Sequence, residues 1–73
     1  MTLDNARRGD RIKIIQINDA SIRAQAIRLG ISEGSKMICS EKLPAGPIIL
    51  QNKMQEVAVG RKLAQQISVE RVS

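Results

Sequence analysis

Histidine is missing from this sequence, and so is every aromatic residue. Without imidazole there is no general base poised near neutral pH and no common nitrogen ligand for a metal. The one cysteine, Cys39, sits in a stretch of strand character. A lone cysteine there reads as an inert small hydrophobe more readily than as a nucleophile, and it rules out an internal disulfide. The carboxylates Asp4, Asp10, Asp19, Glu33, Glu41, Glu56 and Glu70 are scattered, most of them in turns or at strand ends, with no metal-ligand spacing. No phosphate-binding loop, dinucleotide fingerprint or nucleophile elbow is present. The expectation is a chain with no catalytic residues, no cofactor and no metal site of its own, and therefore not an enzyme.

What remains is binding. Lys and Arg number 12 against 7 Asp and Glu, a net charge of +5. Such a balance raises the question of an anionic partner. The cations cluster locally at Arg7-Arg8 with Arg11 and Lys13, and at Arg61-Lys62, but carboxylates interrupt them throughout. A solvated surface is the preferred reading. A basic nucleic-acid-binding barrel working through Arg7, Arg8, Arg11 and Lys13 is the alternative. The missing rings count against nucleic acid, because small β-barrels recognise single strands by stacking bases on aromatic side chains. They also remove the aromatic walls of a proline-rich peptide groove. No run approaches the ~18 apolar residues of a membrane span, and the N-terminus lacks the apolar core of a signal peptide. The chain is expected to be cytoplasmic, without direct membrane insertion, and to act through protein–protein contact.

With 73 residues, the expectation is one domain spanning 1–73. Its core must come from Ile, Leu, Val, Met and Ala. Leu3 is the core anchor of the leader, and Arg8-Gly9-Asp10 is a turn into the first strand. Arg11 to Ile17 alternates as a strand, with a slip at Ile14-Ile15 that predicts a bulge or burial on both faces. Lys36 to Lys42 is a second strand, followed by the proline loop Leu43 to Pro47. Pro47 to Gln51 and Met54 to Val59 pair around a two-residue turn at Asn52-Lys53. A single helical turn near Arg61 precedes a last strand through Ile67 and Val69 towards Val72.

One helix is inserted after the first strand. Asp19 or Ser21 can cap it, and Ile22, Ala26 and Leu29 form its apolar stripe at i, i+4 and i+7. It ends in the corner Leu29-Gly30-Ile31-Ser32-Glu33-Gly34, where Gly30 suits a left-handed helix stop. Leu29, Gly30, Ile31 and Gly34 are the structural residues of that corner. Ile27 lies off the stripe. Packing against a neighbouring loop is its first expectation. The functional alternative is an exposed partner contact made by Arg23, Ile27 and Arg28 together.

The corner Leu29-Gly30-Ile31-Ser32-Glu33-Gly34 resembles the leucine-glycine turn of the FeoA family, small accessory proteins of bacterial ferrous iron transport. The run from Val57 to Val69 is similar to that family's ending, a short apolar strand before an alanine-centred turn and an I-x-V strand. Gly46-Pro47-Ile48 matches the start of its central hairpin, and Leu3, Gly9 and Ile12 fit its leader and first strand. Glu33 departs from the pattern, which often has proline there, and implies a looser turn. The resemblance implies a mainly β fold, a small SH3-like five-stranded β-barrel with an inserted helix. It also implies association with FeoB, a membrane ferrous iron transporter with a cytosolic GTP-binding domain. Similar domains end iron-dependent repressors of the diphtheria toxin repressor type, whose DNA-binding helix-turn-helix has no counterpart here. Iron then enters through the partner. Unpaired strand edges leave a homodimer open as well.

Overall fold

The computed structural model describes residues 1–53 and 55–72. After a 3-10 turn at Leu3–Asn5, the chain forms β1 (Arg11–Ile17), α1 (Ala20–Arg28), β2 (Lys36–Lys42), β3 (Ile48–Gln51), β4 (Glu56–Val59), α2 (Arg61–Ala64) and β5 (Ile67–Arg71). The strands make one antiparallel sheet in the order β4-β3-β2-β1-β5.

Aliphatic alternation explains which face the sheet buries. Ile12 and Ile14 point into the core, and so does Ile17, although the step from Ile14 to Ile17 is odd. The odd step is absorbed by a break in register with β5, where Ile14 pairs with Val69 but Gln16 pairs with Ser68. Ile15 is the extra residue and stays exposed. A second break separates the pairs Cys39 with Leu50 and Glu41 with Ile49, leaving Ser40 over. Extra residues of this kind bend a strand and increase its twist, so the sheet curves round its aliphatic core.

The curvature does not close a barrel. Among the described residues, no ladder joins the edge strands β4 and β5. Their connection runs through Gly60 and α2, whose Ala64 is fully buried, so a helical turn occupies the place of a closing hairpin. The outer edge of β5 is also taken: the Val69 amide donates to the Met1 carbonyl at 2.8 Å, and Thr2 bridges Ser68. The barrel implied by the resemblance is therefore an open, strongly bent sheet.

The β3–β4 connection also differs from expectation. Gln51 pairs with Glu56, which makes the loop four residues long rather than two. The Asn52 amide donates to the Gln55 carbonyl at 3.0 Å, and the Gln55 amide donates to Asn52 Oδ1 at 3.1 Å. Asn52 works through its side-chain acceptor, which draws the loop closed from Gln55. Met54, where the strand was expected to begin, lies outside the described residues.

Candidate functional site

Chemistry-bearing groups do not converge in this fold. Among the described residues no three of His, Cys, Asp and Glu lie close enough to hold a metal ion. Cys39 is buried, and burial pushes its thiol pKa up, away from the reactive thiolate. Among the described residues no helix is long and apolar enough to cross a membrane. What the fold presents is surface, and α1 presents the most distinctive one.

The helix is specified at both ends. Asp19 caps it, its Oδ1 accepting from the amides of Ser21 (2.8 Å) and Ile22 (3.1 Å). At the far end the Gly30 amide donates to the Ile27 carbonyl (2.9 Å) and the Ile31 amide to the Ala26 carbonyl (2.9 Å). That pair of bonds is a Schellman stop, which requires a left-handed residue between them, and Gly30 supplies it at φ +82°. Ile31 and Ala26, joined by the bond that spans more residues, are both fully buried. Gln55 adds a tie from the β3–β4 loop, its Nε2 donating to the Leu29 carbonyl at 3.3 Å.

The corner is tied to the sheet by the residue at which the resemblance implied looseness. Glu33 Oε2 accepts from the Ile17 amide at 2.9 Å, closing the turn onto the end of β1. From the helix, Arg23 Nη2 donates to the carbonyl of the same Ile17 at 2.8 Å. Two oppositely charged side chains thus take both backbone groups of one residue, fixing α1 and the corner to the end of β1. The turn at Glu33 is held rather than loose. Gly34 continues the attachment, its amide donating to the Ile14 carbonyl at 2.7 Å.

On the inner side of α1, Ala26 is fully buried and Ile22 and Leu29 pack against the core. Ile27 remains 57% exposed, so it does not pack against a loop, and the first expectation for it fails. At about 100° per residue, Ala20, Ala24 and Ile27 lie about 200° round the helix from Ile22, Ala26 and Leu29. Both trios have the spacing i, i+4, i+7, displaced by two residues. Ala20, Ala24 and Ile27 are all exposed, with exposed Arg23 on one flank and exposed Arg28 on the other. Reading the sequence for one stripe found Ile27 and its arginines but missed the two alanines. Repeating the same spacing two residues earlier would have found them.

The basic residues divide into two sets. Arg61 serves the fold: its Nε donates to the Gly46 carbonyl and its Nη2 to the Leu43 carbonyl, both at 2.7 Å, anchoring the proline loop to α2. Arg71 pairs with Asp10 at 2.9 Å, the one ion pair among the described residues. The Arg7 amide and this guanidinium both hold the Asp10 carboxyl below its ordinary pKa. Arg7 and Arg8 are exposed at the turn before β1, while Arg11 and Lys13 project from β1 itself. Arg11 and Lys13 lie across from β2, where Arg11 pairs with Ile38 and Lys13 with Lys36.

Comparison with known proteins agrees with this reading of the fold. No curated protein matches the chain by sequence. Among solved structures, an iron uptake regulatory protein (FeoA) superposes with a TM-score of 0.89 at 25% identity, covering 99% of this chain and 97% of its own. A FeoA-like protein from Clostridium acetobutylicum gives 0.86 at 21% identity, covering 100% of this chain and 87% of its own. The FeoA protein from Chlorobium tepidum gives 0.83 at 24%, with coverages of 100% and 71%. The model of the FeoA domain matches residues 1–71, which takes in every strand, both helices and the Gly30 corner. This chain belongs to the FeoA family.

Proposed function

We propose that this chain is a non-catalytic, cytoplasmic accessory protein of ferrous iron uptake that docks on the cytosolic GTPase region of a FeoB-type transporter. Membership of the FeoA family supports the general role. The single observation that carries the docking surface is the outer stripe of α1. Ala20, Ala24 and Ile27 make an exposed apolar strip between Arg23 and Arg28, on a helix whose inner stripe already satisfies the core. A short apolar strip edged by two cations fits a partner surface with a shallow apolar patch and carboxylates at its rim, the common anatomy of transient interfaces. Small alanines allow close approach, and Ile27 is the anchor.

The helix is rigid enough for this use. Its cap, its Schellman stop and the two bonds to Ile17 fix it before any partner arrives, so little ordering cost falls on the association itself. Arg23 has a double role, since one of its nitrogens is committed to Ile17 while the residue remains exposed.

Nuclear magnetic resonance titration of labelled protein tests the reading. The transporter's cytosolic GTPase domain should shift amides between Ala20 and Arg28, while duplex and single-stranded oligonucleotides leave them in place. Shifts produced only by the oligonucleotides, at Arg7, Arg8, Arg11 and Lys13, would replace docking with nucleic-acid binding.

A further inference from the structure

A second surface lies on the sheet, on the strands that flank α1 in sequence. The register places Arg11 beside Ile38 and Ile38 beside Gln51, forming one row across β1, β2 and β3. The next row sets Lys13 directly opposite Lys36. Like charges at such a position destabilise a sheet, so the fold gains nothing from this pair. Along these rows a groove of about 540 Å³ opens, its lining including the cations Arg11, Lys36 and Lys53 and the apolar Ile38 and Val72. Among the described residues, no carboxylate side chain lines it. The nearest acidic residues along the rows are Glu70, paired with Lys13, and Glu56, one strand beyond Gln51. Neither forms an ion pair among the described residues.

We infer that this groove binds an extended acidic segment of a partner protein, one in which carboxylates alternate with aliphatic side chains. Charge complementarity selects the sign: three cations border the groove and a fourth, Lys13, stands next to it. The lining selects the class of molecule. Ile38 and Val72 reward aliphatic side chains, whereas a nucleic-acid backbone would meet the cations and leave the apolar lining unused. The chain also offers no aromatic ring for a base to stack on. A second copy of this chain is a poor occupant, since its net charge is +5 as well. An extended peptide alternates its side chains along a strand, which matches rows that repeat at the spacing of β1 and β2. The site uses none of the residues of the α1 stripe and stands whether or not that surface docks a transporter.

The test uses a synthetic peptide alternating Glu and Val, the same peptide with Lys in place of Glu, and a short DNA duplex. The acidic peptide is expected to bind saturably, shift the amides of Arg11, Lys36 and Ile38, and weaken as salt rises. Lys36→Glu should cut its affinity about tenfold or more while leaving Tm unchanged or raised, because the substitution removes the repulsion from Lys13. Lys53→Glu, in the loop, should weaken binding without touching the ladder, and Ile27→Glu should have no effect. Equal binding of the duplex at the same residues would overturn the inference in favour of charge alone. Absence of saturable binding by the acidic peptide would overturn it in favour of a solvated face.

Discussion

The inner and outer stripes of α1 have the same spacing and opposite fates. Ile22, Ala26 and Leu29 join the core, while Ala20, Ala24 and Ile27, set two residues earlier, remain in solvent. One helix of nine residues thus carries two apolar faces, and the core needs only one of them. Both large members of the inner stripe are partly exposed even so, and only Ala26 is completely enclosed. The helix therefore owes its position less to deep burial than to its ends: Asp19, the Gly30 stop, and the pair Arg23 and Glu33 on Ile17. That division separates residues that hold the helix from residues free to touch something else. Apolar periodicity alone cannot make the distinction.

Substitutions can break this comparison from the inside outward. Ile31→Ala removes a fully buried side chain at the Schellman stop and should cost about 3 kcal/mol. In a domain of this size each kcal/mol lowers Tm by roughly 4–8 °C, which thermal unfolding will resolve. Gly30→Val should cost about 2 kcal/mol, mostly from forcing a β-branched residue to φ +82°. The new Cβ also meets the Gln55 side chain, which can swing away only by giving up its bond to Leu29. An unchanged Tm for this variant would show that the corner does not set the helix. Asp19→Ala should cost about 1 kcal/mol, with faster amide hydrogen exchange at Ser21 and Ile22, whose amides lose their acceptor. On the outer side, Ile27→Glu should change stability by no more than about 0.5 kcal/mol, since the side chain is already in solvent.

The smallest effect lies away from the helix and serves as its control. Asp10 has its pKa lowered by the Arg7 amide and the Arg71 guanidinium. A carboxyl depressed in the folded state stabilises above its unfolded pKa and loses that contribution as pH falls through the folded value. Acid titration of Tm should therefore show a modest loss below about pH 4 that Asp10→Asn abolishes, with no change in any property of α1.

Much of this fold was legible because its signals are local. The odd step from Ile14 to Ile17 announces a bulge, Asp19 precedes an apolar stripe, and Gly30 follows the last stripe residue. Lys36–Lys42 is bounded by a glycine turn on one side and Leu43-Pro44 on the other, and its expected and observed limits coincide. What failed depends on partners distant in the chain. A two-residue turn at Asn52-Lys53 satisfies local preferences, but the pairing of Gln51 with Glu56 decides the loop length. Barrel closure is a relation between β4 and β5, and α2 together with the N-terminal Met1 and Thr2 settles it. Glu33 looked like a departure that loosens a turn because its acceptor role towards Ile17, 16 positions earlier, leaves no trace in local spacing. The candidate surface was half legible. Ile27 with Arg23 and Arg28 stood out, whereas Ala20 and Ala24 did not, because alanine suits any helix position. The groove beside Lys36 was not legible at all, since it exists only once β1 and β2 are in register.

The decisive measurement is the affinity of Ile27→Glu for the cytosolic GTPase domain of the transporter, taken by calorimetry beside a thermal unfolding curve of the same variant. If the outer stripe is the docking surface, affinity falls by about tenfold or more while Tm stays at the parent value. Parent-like affinity would contradict the account. A loss of affinity accompanied by a fall in Tm would contradict it equally, because Ile27 would then belong to the core and not to the interface.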